Sequence, residues 1–324
     1  MMHIVIPDDY QNAVSALDCF RKLAGHTVTI YHDTVKTMDA LKERFKSADV
    51  LVLIRERTAI TAELLAGLPN LKLIAQTGKG TAHIDLAACT KHGVAVSVGS
   101  GSPEAPAELT WMLIMAAMRR LTEAMTSMQA GRWQADAKLG RAVRGHTLGI
   151  YGYGKIGSLV AGYGRTFGMQ VLIFGREGSL QRAERDGYMT VSSQRALFER
   201  ADVVSLHLRL TPETRGIITF GDLSAMRDQS LFVNTSRAEL VEEGALVAAL
   251  RTGRPCYAAV DVYESEPVAD PPLLRLPNVL CTPHIGYVEQ GSYENYFGTA
   301  FDQVLAFASG TPMDIVNPEV LTTG

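Results

Sequence analysis

The sequence predicts an α/β protein built from two doubly wound parallel-sheet domains. Three observations carry that expectation. The 324 residues exceed what one hydrophobic core usually organises. Short apolar runs alternate with helical segments along most of the chain, the pattern that yields a mostly parallel sheet. Near the middle, Thr147 to Arg176 reads as strand, glycine-rich turn, helix and second strand, a complete β-α-β unit.

In the first third, apolar runs at Ile4 to Ile6, Val28 to Tyr31, Val50 to Ile54, Leu71 to Ala75 and Val94 to Val96 are the expected strands. Short helices are expected between them, at Ala40 to Lys46 and Ala62 to Leu65, with Gly67-Leu-Pro-Asn70 as a stop signal. After Gly99-Ser-Gly-Ser-Pro103 the pattern becomes helical to about Gln129. There Trp111, Leu113, Ile114, Met115, Met118, Leu121, Met125 and Met128 form one apolar stripe, expected as a single long helix crossing between domains. Its methionines are read as adaptable core or subunit-interface filler. The polar stretch from Gly131-Arg-Trp133 to Gly145 is expected as an arm or loop. Later strands are expected at Val203 to Leu208, Leu231 to Asn234, Tyr257 to Val260 and Val279 to Cys281. Helices are expected at Ala245 to Leu250, closed by Gly253, and at Tyr293 to Ala308 before an extended tail.

Composition narrows the function. Hydrophobic residues make up 47% and charged residues 20%, with 31 basic and 34 acidic side chains intermingled, so there is no basic patch for nucleic acid or an anionic membrane. Small molecules are the expected partners. The N-terminal Met-Met-His-Ile-Val-Ile-Pro resembles a first strand more than a signal peptide, and the longest apolar run, Trp111 to Met118, falls far short of the roughly 20 residues of a membrane span. Four scattered cysteines lack metal-ligand spacing and are expected to be reduced, and no metal site is expected. A cytoplasmic protein is the resulting expectation.

The central unit carries Gly152, Gly154 and Gly157 in G-x-G-x-x-G spacing, together with Tyr153, Lys155 and Ile156. The first glycine permits the turn, the second lets a pyrophosphate approach the backbone, and the third lets the helix from Lys155 to Phe167 pack on the strand. A dinucleotide site is the best reading. Past later strand ends stand groups suited to a small polar substrate. Arg237, in Asn234-Thr235-Ser236-Arg237, can grip a carboxylate with two parallel hydrogen bonds, a surface ion pair being the alternative. Glu266 and His284 suggest an acid-base pair, in which the carboxylate favours the imidazolium and fixes its orientation. His83, His92, His146 and His207 have no comparable surroundings and are assigned no catalytic role.

These motifs resemble those of the D-isomer-specific 2-hydroxyacid dehydrogenases, which include glyoxylate or hydroxypyruvate reductases and phosphoglycerate dehydrogenases. The matching pieces are Gly152 to Gly157, His207 to Gly216, Asn234 to Arg237, Asp261 to Pro267, and Thr282-Pro-His-Ile-Gly286. The resemblance implies Arg237 as carboxylate clamp, His284 as general acid/base and Glu266 as its partner. It also implies that Asp261 and Gly286 lie near the nicotinamide amide, with Thr235 and Ser236 also on the cofactor side. Gln76 to Asp85 is similar to the family loop that holds the substrate carboxylate, making Gly78, Lys79 and Gly80 candidates, a plain turn being the alternative. Arg55 matches an arginine of phosphoglycerate dehydrogenases and would serve a second anionic group; a solvated loop arginine beside Glu56 is the equal alternative. The chain departs from the family pattern at Ala238, Glu239, Arg209 and Tyr287, which bear on pocket shape.

The resemblance further implies a flavodoxin-like substrate domain, residues 1–101 with 290–324, and a Rossmann dinucleotide domain, 102–289, inserted in it. The expected reaction is reversible reduction of a 2-oxo acid to a D-2-hydroxy acid. Phosphoglycerate-type activity and a nicotinamide-sensing, corepressor-like binding protein are the alternatives, and a homodimer is the expected assembly. For the cofactor, the usual ribose-binding carboxylate about 20 residues past the glycine motif is replaced by Gly175 followed by Arg176. This favours NADP over NAD, with Glu177 as the counterargument and Ser179 compatible with either.

Overall fold

A computed structural model describes residues 1–136, 138–268, 270 and 272–322; the last two residues of the predicted tail, 323 and 324, lie outside them. The chain divides into two compact units, Met1–Ser102 with Val288–Gly324, and Pro103–Tyr287.

The first unit contains β1 (His3–Ile6), β2 (Thr27–Ile30), α1 (Met38–Phe45), β3 (Val50–Leu53), α2 (Ala62–Leu65), β4 (Leu73–Gln76), α3 (Leu86–Lys91) and β5 (Ala95–Val98). The sheet order is β2-β1-β3-β4-β5, all parallel, so strand order reverses between β1 and β3. Ligands of open α/β sheets bind at the carboxyl ends beside such a reversal. Between β1 and β2 the crossover is made of two 3-10 turns, Val14–Ala16 and Asp18–Leu23, rather than an α-helix. β3 and β4 are buried along their whole length, which explains the unbroken apolar sequence of β3 and the apolar run of β4 up to Gln76. Thr61 and Asp85 cap α2 and α3 by accepting from the N–H groups of Leu64 and Ala88. Asn317, 2% exposed, docks the tail on β5, accepting from Val96 N at 2.8 Å and donating to Val94 O at 3.0 Å.

The second unit opens with two helices, α4 (Glu104–Met118) and α5 (Leu121–Gln129), where one long helix was expected. Arg120 takes φ 53°, its guanidinium stacks over Tyr257 at 4.5 Å and it pairs with Glu123 at 3.2 Å. That tertiary anchoring ends α4. The stripe is divided accordingly: Leu113, Ile114 and Met118 are buried, whereas Leu121, Met125 and Met128 are exposed. There follow β6 (Thr147–Tyr151), α6 (Lys155–Thr166), β7 (Gln170–Phe174), α7 (Glu177–Arg185), β8 (Met189–Thr190), α8 (Gln194–Arg200), β9 (Val203–Leu206), α9 (Phe220–Ser224), β10 (Leu231–Asn234), α10 (Ala245–Thr252), β11 (Tyr257–Val260) and β12 (Val279–Cys281). All pair in parallel in the order β12-β11-β10-β9-β6-β7-β8, reversing between β6 and β9. Leu148, Ile150, Val203 and Val233 face α4 and α6; Leu172, Val204, Leu206 and Phe232 face the opposite layer of helices. This two-sided burial fixes which residues emerge at the strand ends.

The chain returns to the first unit in α11 (Gln290–Ala308), capped by Glu289, which accepts from Gly291 N at 2.6 Å and Ser292 N at 2.8 Å. Tyr293, Tyr296, Phe297, Phe301 and Val304 form its buried side. Among the described residues no helix is long and apolar enough to cross a membrane.

Candidate active site

At the reversal of the second sheet, β6 runs into the glycine turn. Gly152 has φ 102°, and a Cβ there would lie 2.6 Å from the His207 carbonyl oxygen; a Cβ at Gly157 would collide with the Gly152 carbonyl oxygen. A Cβ on Gly154 would meet nothing within 4 Å. The turn is thus closed on its protein side and open where the first N–H groups of α6 emerge, which fits a pyrophosphate. Tyr153 can offer a ligand little beyond its backbone: the ring is 4% exposed and its hydroxyl donates to Asp186 Oδ2 at 2.7 Å. Its carbonyl accepts from Arg182 Nη2 at 3.1 Å, tying α7 to the turn. Lys155 is exposed, and Ile156 packs on the core.

Gly175 and Arg176 end β7 and start α7. The Ser179 hydroxyl donates to the Arg176 carbonyl at 2.7 Å. Arg176 is one of the groups that hold the Glu213 carboxyl below its usual range, after the Thr211 hydrogen bond and a backbone N–H. Glu177 accepts from Gln181 at 3.4 Å along the same helix.

Beyond β10, the amide of Asn234, 2% exposed, shapes the turn that carries Arg237. Its Oδ1 accepts from Ser236 N at 3.0 Å and its Nδ2 donates to Arg237 O at 2.8 Å. The Ser236 hydroxyl donates to Leu206 O at 2.7 Å. The hydroxyls of Thr235 and Thr110 are 2.7 Å apart, and because Thr110 donates to Pro106 O at 2.7 Å, Thr235 is the donor of that pair. Arg237 Nη1 donates to Ser236 O at 2.7 Å. Ala238 is buried, Glu239 lies 3.9 Å from Arg215, and the Arg209 carbonyl accepts from Thr214 at 2.7 Å.

Beyond β11, Asp261 is 1% exposed and organises the histidine loop. Its Oδ1 accepts from Thr282 Oγ1 at 2.6 Å and Ile285 N at 2.9 Å, and its Oδ2 accepts from Gly286 N at 2.9 Å. Burial raises its carboxyl pKa, against the lowering effect of those donors and of His284. Tyr263 bridges both halves: its N–H donates to Glu266 Oε1 at 3.0 Å and its hydroxyl to Thr282 O at 2.9 Å. Glu266 Oε2 and His284 Nδ1 are 2.6 Å apart, a charge-assisted contact when the ring is protonated. Burial alone would raise the Glu266 carboxyl; the His284 hydrogen bond and charge, the Tyr263 N–H and the Arg237 charge bring it below its usual range. His284 adopts φ 52°, a costly conformation for a non-glycine residue that the surrounding hydrogen bonds impose. Tyr287 meets its ring edge-on at 5.8 Å, leaving Nε2 without a hydrogen-bond partner among the described residues. A histidine fixed at Nδ1 with its other nitrogen open can pass a proton at one defined point.

In the first unit, Arg55 follows β3 with φ 56°, and its N–H donates to Thr77 Oγ1 at 3.0 Å. The guanidinium stacks 5.5 Å from the Tyr296 ring centre and lies against Gly78, where a Cβ would collide with it. Gly80 abuts the Glu56 carboxylate in the same manner. Lys79 is exposed and borders a cavity of about 500 Å³ lined also by Gly99, Ser100 and Thr299. Another cavity, about 600 Å³, opens at the amino ends of the second sheet, where Arg227 pairs with Asp202 at 3.2 Å and Arg254 with Asp228 at 2.5 Å.

Sequence reasoning missed Asn234, Thr110 and Tyr263, which hold the functional loops. Asn234 opens the motif that ends in Arg237, and its position at the end of a buried strand was the available signal.

A parallel sheet with an open glycine turn at its reversal defines a dinucleotide-binding protein, and comparison with known proteins supplies the family. The family profile for the D-isomer specific 2-hydroxyacid dehydrogenase NAD binding domain matches residues 111–286. A D-3-phosphoglycerate dehydrogenase of Bacillus subtilis is 32% identical over 94% of this chain and 56% of its own length. A glyoxylate reductase of Thermococcus litoralis is 34% identical over 87% of this chain and 88% of its own. The crystal structure of an oxidoreductase from Ralstonia solanacearum superposes with a TM-score of 0.97 at 52% identity, covering 99% of this chain and 98% of that one. The chain belongs to the D-isomer specific 2-hydroxyacid dehydrogenase family, whose dinucleotide is a nicotinamide one. It spans about half the length of the curated phosphoglycerate dehydrogenases it matches.

Proposed function

We propose that the chain is a dehydrogenase that reduces a small 2-oxo acid to the D-2-hydroxy acid, reversibly. The observation that carries the proposal is the 2.6 Å pair of Glu266 and His284, with Arg237 close enough for its charge to act on Glu266. Arg237 grips the substrate carboxylate. His284 Nε2 donates a proton to the carbonyl oxygen at C2 in reduction and takes it back in oxidation. Glu266 stays ionised, holding the ring by Nδ1 and balancing its charge. The N–H groups of the Gly78, Lys79 and Gly80 loop bind the substrate carboxylate as well. When bound, the dinucleotide supplies or accepts the hydride at C2. The glycine turn from Gly152 to Gly157 binds its pyrophosphate, Thr235 and Ser236 line its path, and Asp261 and Gly286 lie by its amide end. Residues 102–289 serve as the dinucleotide domain and the remainder as the substrate domain.

NADP is the proposed preference. Arg176 opens α7 where a carboxylate would repel a 2′-phosphate, and Glu177, the competing carboxylate, is engaged with Gln181. The exposed Met125 and Met128 of α5 suit self-association as a homodimer, which light scattering tests. Four free cysteines suit a reducing, cytoplasmic setting. A second reading, a substrate with an additional anionic group, is favoured by the Arg55 guanidinium stacked on Tyr296 at the reversal of the first sheet. Turnover of NADPH and NADH, followed by absorbance against a panel of 2-oxo acids, tests the proposal. Oxidation of cofactor with at least one acid is expected, whereas binding without turnover of any acid would support a sensor.

A further inference from the structure

We propose that His207 is a dinucleotide-binding residue, presenting Nδ1–H as a hydrogen-bond donor to an acceptor oxygen of the dinucleotide at the glycine turn. The inference rests on the dinucleotide site proposed above and assigns this histidine a binding role there.

Position is the first argument. His207 follows β9 directly, and β9 and β6 are the two strands between which the order of the second sheet reverses. Its N–H donates to Tyr151 O at 2.8 Å, and a Cβ on Gly152 would lie 2.6 Å from its carbonyl oxygen. A Cβ on Gly157 would lie 3.2 Å from the His207 Cβ. The residue therefore backs the turn and the start of α6, and it stands at the carboxyl end of β9, beside the crevice where this class of sheet takes its ligand.

Hydrogen-bond accounting is the second argument. His207 Nε2 lies 2.9 Å from the hydroxyl of Ser205, which is 0% exposed and has no other partner among the described residues. A hydroxyl has one proton to place. If Nε2 carried a hydrogen and donated it to Ser205, the Ser205 proton would be buried without an acceptor. If Ser205 donates to Nε2, every buried atom is satisfied, and a neutral ring then carries its hydrogen on Nδ1. Nδ1 has no partner among the described residues, and the residue as a whole is half-buried. Burial pushes the imidazole pKa down, which favours a neutral ring that acts as a donor without charge. Ser205 is the positioning residue that selects the tautomer.

Two measurements test this. In protein labelled with ¹⁵N-histidine and free of ligand, His207 should be neutral at pH 7 with its hydrogen on Nδ1, and the Nδ1 resonance should shift when NADPH is added. In fluorescence titrations with NADPH and NADH, His207→Gln retains a group near Nε2 but removes the Nδ1 donor. It should weaken binding by about 5- to 30-fold, the worth of one hydrogen bond to a polar or charged oxygen. His207→Asn, whose amide lies near the Nδ1 position, should restore most of the affinity, an outcome that a purely structural role would not produce. A hydrogen on Nε2, a charged ring at pH 7, or a His207→Gln protein that binds as tightly as wild type would overturn the assignment alone. Failure of the wild type to bind either dinucleotide would overturn the dinucleotide site as well.

Discussion

Replacing Glu266 by Gln removes one charge and creates a hydrogen-bond conflict whose size follows from the geometry. In the native loop, Oε1 accepts from Tyr263 N at 3.0 Å and Oε2 faces His284 Nδ1 at 2.6 Å. A glutamine that keeps the Tyr263 bond turns its NH₂ toward Nδ1, which must then accept, so the ring is held neutral with its hydrogen on Nε2. A glutamine turned the other way sets NH₂ against the Tyr263 N–H. Either arrangement forfeits a hydrogen bond to a charged group, worth about 1.5–3 kcal/mol. The two side chains are 28% and 34% exposed, so water screens part of this and the lower half of the range applies. At 1.4 kcal/mol per factor of ten, kcat/KM for the 2-oxo acid should fall by about 10- to 40-fold. The pH profile supplies a second readout. Because the native Glu266 pKa is depressed, its ion pair is present above the ordinary carboxylate pKa and is lost as pH falls through the depressed value. Wild-type activity should carry an acid limb below the usual carboxylate range, and Glu266→Gln should lack that limb. Steady-state kinetics from pH 3.5 to 9 would check both; an unchanged rate together with an unchanged acid limb would refute the pairing argument.

Other substitutions separate the remaining roles. His284→Ala should lower turnover by about 10² to 10⁴-fold, the usual worth of general acid catalysis, while dinucleotide binding measured by fluorescence persists. Arg176→Ala should move the NADPH/NADH ratio of kcat/KM toward NADH, and a ratio that does not move would contradict the reading of the β7 end. Gly157→Ala should abolish dinucleotide binding, because the added Cβ collides with the Gly152 carbonyl, with circular dichroism as the control for folding. Arg55→Leu should raise KM for a dicarboxylic or phosphorylated 2-oxo acid more than for glyoxylate; equal losses would remove Arg55 from anion recognition.

Central strands were legible in the sequence because β3, β10 and β11 are buried on both sides and are apolar except for Asn234, which closes β10 and turns its amide to the loop beyond. β8, two residues at the sheet edge, has too little buried surface to leave a pattern. The division between α4 and α5 was hidden for the opposite reason: apolar periodicity continues across Arg119 and Arg120, and what ends α4 is the stacking of Arg120 on Tyr257, far away in sequence. Arg237, Glu266 and His284 were reached through strand-end position and family motifs. The three hydrogen bonds by which Asp261 holds residues 282–286 run from a side chain to a distant segment, and no local pattern announces them.

Stereochemistry separates a D-specific dehydrogenase from the alternatives. The D and L forms of one 2-hydroxy acid, each offered with oxidised cofactor, are followed by the rise in absorbance of the reduced nicotinamide. Reduction of cofactor is expected with the D form alone, and is lost in His284→Ala protein that still binds the dinucleotide. Turnover of the L form, or turnover undiminished in His284→Ala, would contradict it.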